Sequence, residues 1–193
     1  MRVVLASQSP RRRDLLRRIV ANFDCQPTDI DESLRGNELP AEYVVRLAEK
    51  KALACEAEDA VIIAADTTVV MGDEVLVKPI GKNDARRMLK QLSGQVHTVL
   101  TAIAIRRNTL MRSRLVTTEV TFDSLTDALI DNYLETDEPW DKAGAYAIQG
   151  YAGTFVSSIS GSYSSVVGLP LKETRELLAS FGIVPTWIGS ANG

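Results

Sequence analysis

Chemistry on a phosphate needs positive charge to neutralise its oxygens and a carboxylate to manage a proton or a cation. This chain supplies both residue types in separated clusters. The first is LASQSPRRRDLL at residues 5–16. Residues 3–6 form a short apolar run, Ser7, Gln8 and Ser9 break it, and Pro10 has the fixed φ that suits a first helical position. A strand running into a helix is expected, with Ser9 as the N-cap. Such a helix start presents unpaired backbone N–H groups and the positive end of the macrodipole, which stabilise an anion. Arg11, Arg12 and Arg13 reinforce that bias, although they also fit the solvated face of an amphipathic helix whose apolar stripe is Leu15, Leu16 and Ile19.

The carboxylates follow. Asp29, Asp31 and Glu32 lie with Ser33 in the loop TDIDES, a pattern that serves a metal with phosphate as well as a plain acidic surface loop. Asp66 closes the apolar run AVIIAA at residues 60–65. Burying an ionised Asp beside such a strand is costly without a cation or donors, and strand C-terminal ends are where open α/β sheets place ligands, so Asp66 reads as functional. Thr67 orients a ligand or caps. Lys51, on the edge of a helical apolar stripe, and Lys78, before Pro79, are candidate phosphate ligands, with a snorkelling stem as the plain alternative for Lys51. DEPWDKAGAYAIQGYAG brings Gly144, Gly150 and Gly153 together with Asp141, Lys142, Tyr146 and Gln149, and forms a tight crossing or the wall of a ligand pocket. His97 is the only histidine, which excludes a multi-histidine metal site and leaves it a strand residue.

The positioning elements can be read from periodicity. Helices are expected over residues 10–19, 40–57, 85–92 (capped by Asn83), 126–134 (capped by Thr126) and 170–181; strands over 23–27, 60–65, 75–77, 96–105, 115–122 and 156–160. Gly72-Asp73 marks a hairpin turn. The alternation is that of an α/β protein. At 193 residues, 45% hydrophobic and 24% charged, the chain fits one compact soluble domain over residues 1–183, with 184–193 as a loosely held tail. No apolar run approaches the roughly 20 residues of a membrane span, the N-terminal apolar stretch is short for a signal peptide, and two cysteines make no disulfide framework. A cytoplasmic protein without a membrane partner is expected. Net charge is −3, yet the first 18 residues carry six arginines and one acid, an asymmetry that favours a local anion site over general nucleic-acid affinity.

Taken jointly, LASQSPRRRDLL, AADTTVV, Lys78-Pro79, DKAGAYAIQG and GSYSSVVGLPL resemble the signatures of the Maf family of nucleotide pyrophosphatases, also called septum-formation inhibitors, over residues 1–182. VANFDCQP and SYSS depart from that family's usual pattern. The resemblance implies a mixed α/β fold, with an elongated twisted sheet flanked by helices and two lobes around a central cleft, of the inosine-triphosphatase kind. It implies hydrolysis of a nucleoside triphosphate between the α and β phosphates, with a divalent cation, Mg²⁺ or Mn²⁺, and a homodimer. Carried onto this sequence, the phosphate-binding positions are Ser7, Arg11, Arg12, Lys51 and Lys78, the acidic ones Glu32 and Asp66, and the base-side one Gln149. Glu32 and Asp66 would hold the metal, and Asp66, Glu32 and Lys78 would carry the catalysis. Arg11, Thr67 and Gln149 match the group acting on dTTP and UTP and differ from the group acting on 7-methyl-GTP. Two other functions are compatible with the cluster: a non-catalytic nucleotide-binding regulator of cell division, and a nucleic-acid-binding module using the arginine-rich helix. Asp66 and Glu32 in matching motifs argue against both.

Overall fold

The first apolar run forms β1 (Arg2–Leu5), and Pro10 opens α1 (Pro10–Leu16), with Leu15 and Leu16 buried. A computed structural model, described for residues 1–187, continues through β2 (Asp24–Cys25), α2 (Pro40–Ala54), β3 (Ala60–Met71), β4 (Glu74–Leu76), α3 (Lys82–Leu92), β5 (Val96–Arg107) and β6 (Leu110–Phe122). It ends with α4 (Asp127–Leu134), β7 (Val156–Ser160), α5 (Tyr163–Val167) and α6 (Leu171–Ala179). The strands make one seven-stranded mixed sheet in the order β2-β1-β3-β5-β6-β7, with β4 paired to β3. β1 runs parallel to β2 and β3, while β4 and β7 pair antiparallel with β3 and β6. The expected mixed α/β fold, a sheet flanked by helices, is the one observed.

The chain divides into two compact units. The first takes in residues 1–66, 101–116 and, among the described residues, 168–187; the second takes in 67–100 and 117–167. In the first unit the parallel pair β1 and β3 is apolar without alternation, and Val4, Leu5, Val61 and Ile63 are fully or almost fully buried. A strand covered on both faces reads this way. In the second unit the core is a cluster of Leu76, Met88, Leu89, Leu92, Val120 and Ile130 with the rings of Phe122, Tyr133, Tyr146 and Phe155. Those rings meet edge to face, Phe122 to Tyr146 at 4.9 Å and Tyr133 to Phe155 at 5.1 Å between centroids.

Several boundaries differ from expectation for physical reasons. The strand expected to stop before Asp66 continues to Met71, because the backbone ladder does not depend on the side chain and the carboxylate finds its own partner. β5 runs on to Arg107 and β6 starts at Leu110, so the gap between the strands expected over 96–105 and 115–122 shrinks to Asn108 and Thr109, with Asn108 at φ 53°. Asn83 lies inside α3, whose N-cap is Gly81. α2 ends at Ala54, where Cys55 turns extended and Arg106 donates from Nε to the Ala52 carbonyl at 2.9 Å and from Nη2 to that of Cys55 at 2.8 Å. Orphan carbonyls of the last turn are satisfied in this way. α5 was not expected; its five residues carry too little periodicity to be read. Within the segment expected to form a tail, Thr186 N–H reaches the Ile19 carbonyl and Trp187 Nε1 the Arg18 carbonyl, each at 3.0 Å, while residues 188–193 lie outside the described residues.

Candidate active site

In the first unit one lysine gathers two carboxylates. Lys51 is on the last turn of α2, its side chain is only 12% exposed, and its Nζ lies 2.7 Å from Asp66 Oδ1 and 2.6 Å from Glu32 Oε1. The buried stem and charged tip are those of a snorkelling lysine, and the tip ends on the two acids singled out in the sequence. Asp66 itself is 7% exposed in the middle of β3. Burial raises its carboxyl pKa above the ordinary carboxylate range, while Lys51 and Arg12 pull it back and the neighbouring Glu32 adds to the rise.

Glu32 comes from a stretch without regular structure between β2 and α2, so its placement needs tethers. α2 supplies them. Tyr43 donates from its hydroxyl to the Glu32 carbonyl at 2.9 Å, and Arg46 donates from Nη2 to the Ser33 carbonyl at 3.1 Å while gripping Glu38 through two nitrogens. Asp31 Oδ1 accepts the Ser33 N–H at 2.9 Å, which folds the acidic loop on itself. Burial lifts the Tyr43 hydroxyl to about 12, helped by Asp66 and Glu32. Tyr43 and Arg46 were not foreseen as site residues; Tyr43 is buried and Arg46 half-buried, and nothing in a helix's apolar periodicity marks which of its residues will brace a loop.

The basic turn forms as expected. Ser9 caps α1 by accepting the Arg12 N–H at 3.4 Å, and buried Ser7 accepts the Ser9 N–H at 3.2 Å. Arg12 donates from Nε to the Gly168 carbonyl at 2.9 Å, tying the turn to the segment that leads into α6. Its guanidinium pKa is lowered by burial and raised by Asp66 and Glu32, with Arg11 opposing, so Arg11, Arg12, Glu32, Lys51 and Asp66 share one electrostatic neighbourhood. Of the residues singled out in the sequence, the first unit thus holds Ser7, Arg11, Arg12, Glu32, Lys51 and Asp66.

The second unit holds Thr67, Lys78 and Gln149. Lys78 is exposed just beyond β4, and the carbonyl of the preceding Val77 accepts the Gly144 N–H at 3.4 Å, so Lys78 and the glycine-rich segment adjoin. Gly144 has φ 69°, and a Cβ there would crowd Val69 at 3.0 Å; glycine is required on both counts. Gln149 is exposed between buried Ile148 and Gly150. His97 lies in β5 as expected, buried, with Nε2 2.8 Å from the Tyr146 hydroxyl.

Glu32 and Asp66 are hard oxygen donors, and the shared ammonium shows that the space between them favours a cation. Among the described residues no group of three or more His, Cys, Asp or Glu could hold a metal ion. The two carboxylates therefore fit an oxygen-preferring divalent cation completed by phosphate oxygens and water, the manner in which Mg²⁺ is usually bound.

The family described as Maf-like protein matches residues 2–181. A protein of Anaeromyxobacter dehalogenans (strain 2CP-C) named dTTP/UTP pyrophosphatase is 52% identical over 190 residues, covering 96% of this chain and 97% of that protein. Proteins of the same name from Shewanella sp. (strain MR-7), 50% identical over 95% of this chain and 100% of the relative, and from Escherichia coli (strain K12), 49% identical over 92% and 91%, align likewise. A match that spans the basic turn, the Asp66 strand and the glycine-rich segment together shows that the chain belongs to the Maf family.

Proposed function

We propose that this protein hydrolyses dTTP and UTP between the α and β phosphates, releasing a nucleoside monophosphate and pyrophosphate, with residues 1–183 as its single functional domain. The observation that carries this reading is the buried Asp66, paired through Lys51 with Glu32 and coupled to Arg12. A carboxylate raised by burial and held between cations is suited to take a proton from water. The names of relatives about half identical over nearly the whole chain support the same substrates.

In the reaction water adds to phosphorus at the α–β anhydride, the anhydride oxygen leaves with pyrophosphate, and the water proton passes to Asp66. Arg11, Arg12 and Lys78 neutralise phosphate oxygens, the arginines through forked N–H pairs that lysine lacks. Lys51 is shared between carboxylates and is available to phosphate once the substrate arrives. Glu32 and Asp66 would hold the divalent cation, Mg²⁺ or Mn²⁺, which supplies charge neutralisation on the phosphates when bound. Gln149 presents an amide that donates and accepts at once, matching the imide N–H and adjacent carbonyl of thymine or uracil, whereas cytosine offers the wrong edge. Arg11 and Thr67 complete the specificity set. The enzyme acts on free nucleotides in the cytoplasm, as a homodimer.

Asp66→Asn tests the reading. The amide keeps the shape and removes the base and the metal charge, so kcat should fall at least about 10²- to 10⁴-fold in a folded protein. A folded variant within a few-fold of the unmodified rate would remove Asp66 from the mechanism.

A further inference from the structure

The turn that presents Gln149 is gripped by a carboxylate from the start of the same glycine-rich segment. Glu138 Oε2 accepts the Tyr151 N–H at 2.7 Å, and Oε1 accepts the Ala152 N–H at 3.1 Å and the Tyr133 hydroxyl at 3.0 Å. Glu138 is itself anchored, with its N–H on Thr136 Oγ1 at 3.3 Å and its carbonyl accepting from Lys142 Nζ at 2.6 Å. Gly150 is what lets the carboxylate approach. A Cβ there would fall 1.9 Å from Oε2 and 2.5 Å from Cδ, yet φ at Gly150 is −110°, so this glycine is required for room and not for a left-handed backbone.

Gln149 is caught between this grip and a second one. On the N-terminal side, Tyr146 is buried against His97, and the Ala147 carbonyl accepts the Gly150 N–H at 3.0 Å. On the C-terminal side, among the described residues, Glu138 is the side chain that holds the Tyr151 and Ala152 amides, and bonds from N–H to a carboxylate are about twice as strong as neutral ones. An exposed glutamine has three side-chain torsions of its own. Discrimination between two base edges survives that freedom only if the backbone it hangs from stays fixed.

We propose that Glu138 is a positioning residue for base selection: by holding the Tyr151 and Ala152 amides, it fixes the turn that aims the Gln149 amide at the pyrimidine edge. This rests on the assignment of Gln149 to the base made above. The side-chain oxygens of Glu138 are engaged by the Tyr133 hydroxyl and the Tyr151 and Ala152 amides, so its loss acts through the Gln149 turn on the choice of nucleotide and not on the chemical step.

The test measures kcat/KM for UTP and CTP at one divalent-cation concentration for Glu138→Ala, Glu138→Gln, Gly150→Ala, Gln149→Ala and the Gln149→Ala/Glu138→Ala double variant, each checked for folding by its thermal transition. Glu138→Ala and Gly150→Ala should each lower the UTP-to-CTP ratio by about tenfold or more, through KM for UTP, since small misplacements of a recognising group carry losses of that order. CTP turnover should stay within about threefold. Glu138→Gln, which keeps one carbonyl oxygen, should recover part of the ratio, and Glu138→Ala should add nothing on the Gln149→Ala background. If Glu138→Ala fails to fold, Glu138→Gln and Gly150→Ala carry the test. Equal losses for both nucleotides, or an unchanged ratio where Gln149→Ala alone lowers it, would overturn the role of Glu138 and leave Gln149 in place. An unchanged ratio in Gln149→Ala would instead overturn the assignment of Gln149 to the base, and the role of Glu138 with it.

Discussion

Asp66 and Lys51 define each other. Desolvation pushes the carboxyl pKa up, and the ammonium 2.7 Å away is the largest influence bringing it down. If Asp66 receives the proton in turnover, kcat/KM should rise with pH along an acid limb lying above the ordinary carboxylate pKa of about 3.9. Lys51→Ala removes the main charge that favours the ionised form, so its acid limb should move to higher pH. A pH profile of kcat/KM for both proteins checks the sign, and a limb that stays put or moves to lower pH would separate Lys51 from the titration of Asp66. The sequence made Asp66 legible through the cost of a carboxylate ending an apolar run. It did not show that the strand runs on past it, because a ladder of backbone hydrogen bonds is indifferent to one polar side chain facing a lysine from another element.

At the scale of elements, α2 is the piece that assembles the first unit's acids. It delivers Lys51 from its last turn and restrains the Glu32 loop through Tyr43 and Arg46. Tyr43→Phe deletes one hydroxyl and leaves the Glu32 carbonyl without that donor, at a cost in stability of about 1 kcal/mol. Outer-sphere partners of metal ligands typically carry 10- to 100-fold in metal affinity or activity. The divalent-cation concentration for half-maximal rate should therefore rise about tenfold in Tyr43→Phe, with kcat at saturating cation largely kept; an unchanged cation dependence would detach the brace from Glu32. Helix α2 could be read from its period, and the acidic loop from its composition, but their contact could not, because a hydrogen bond from Tyr43 to a backbone carbonyl leaves no pattern in either segment. The basic turn was legible for the opposite reason: Ser9, Pro10 and Arg12 act on one another within a single helical turn, where sequence spacing is spatial spacing.

For the whole molecule, acid stability depends on a residue outside the site. Burial lowers the His97 pKa from about 6.5 to about 4, and its Nδ1 has no hydrogen-bond partner among the described residues. Below pH 6.5 the unfolded chain takes up a proton that the folded one refuses until about pH 4, so stability should fall through that window by about 3 kcal/mol and then level. His97→Gln should flatten the pH dependence of the urea midpoint between pH 6.5 and 4 relative to the unmodified protein; parallel curves would show that His97 is protonated in the native state. Turnover is tested by identifying the products from dTTP, UTP, CTP, GTP and 7-methyl-GTP with Mg²⁺ or Mn²⁺ present. Pyrophosphate and monophosphate are expected in equal amounts, fastest from dTTP and UTP. Orthophosphate with a nucleoside diphosphate, or faster turnover of CTP or 7-methyl-GTP, would contradict the proposed activity.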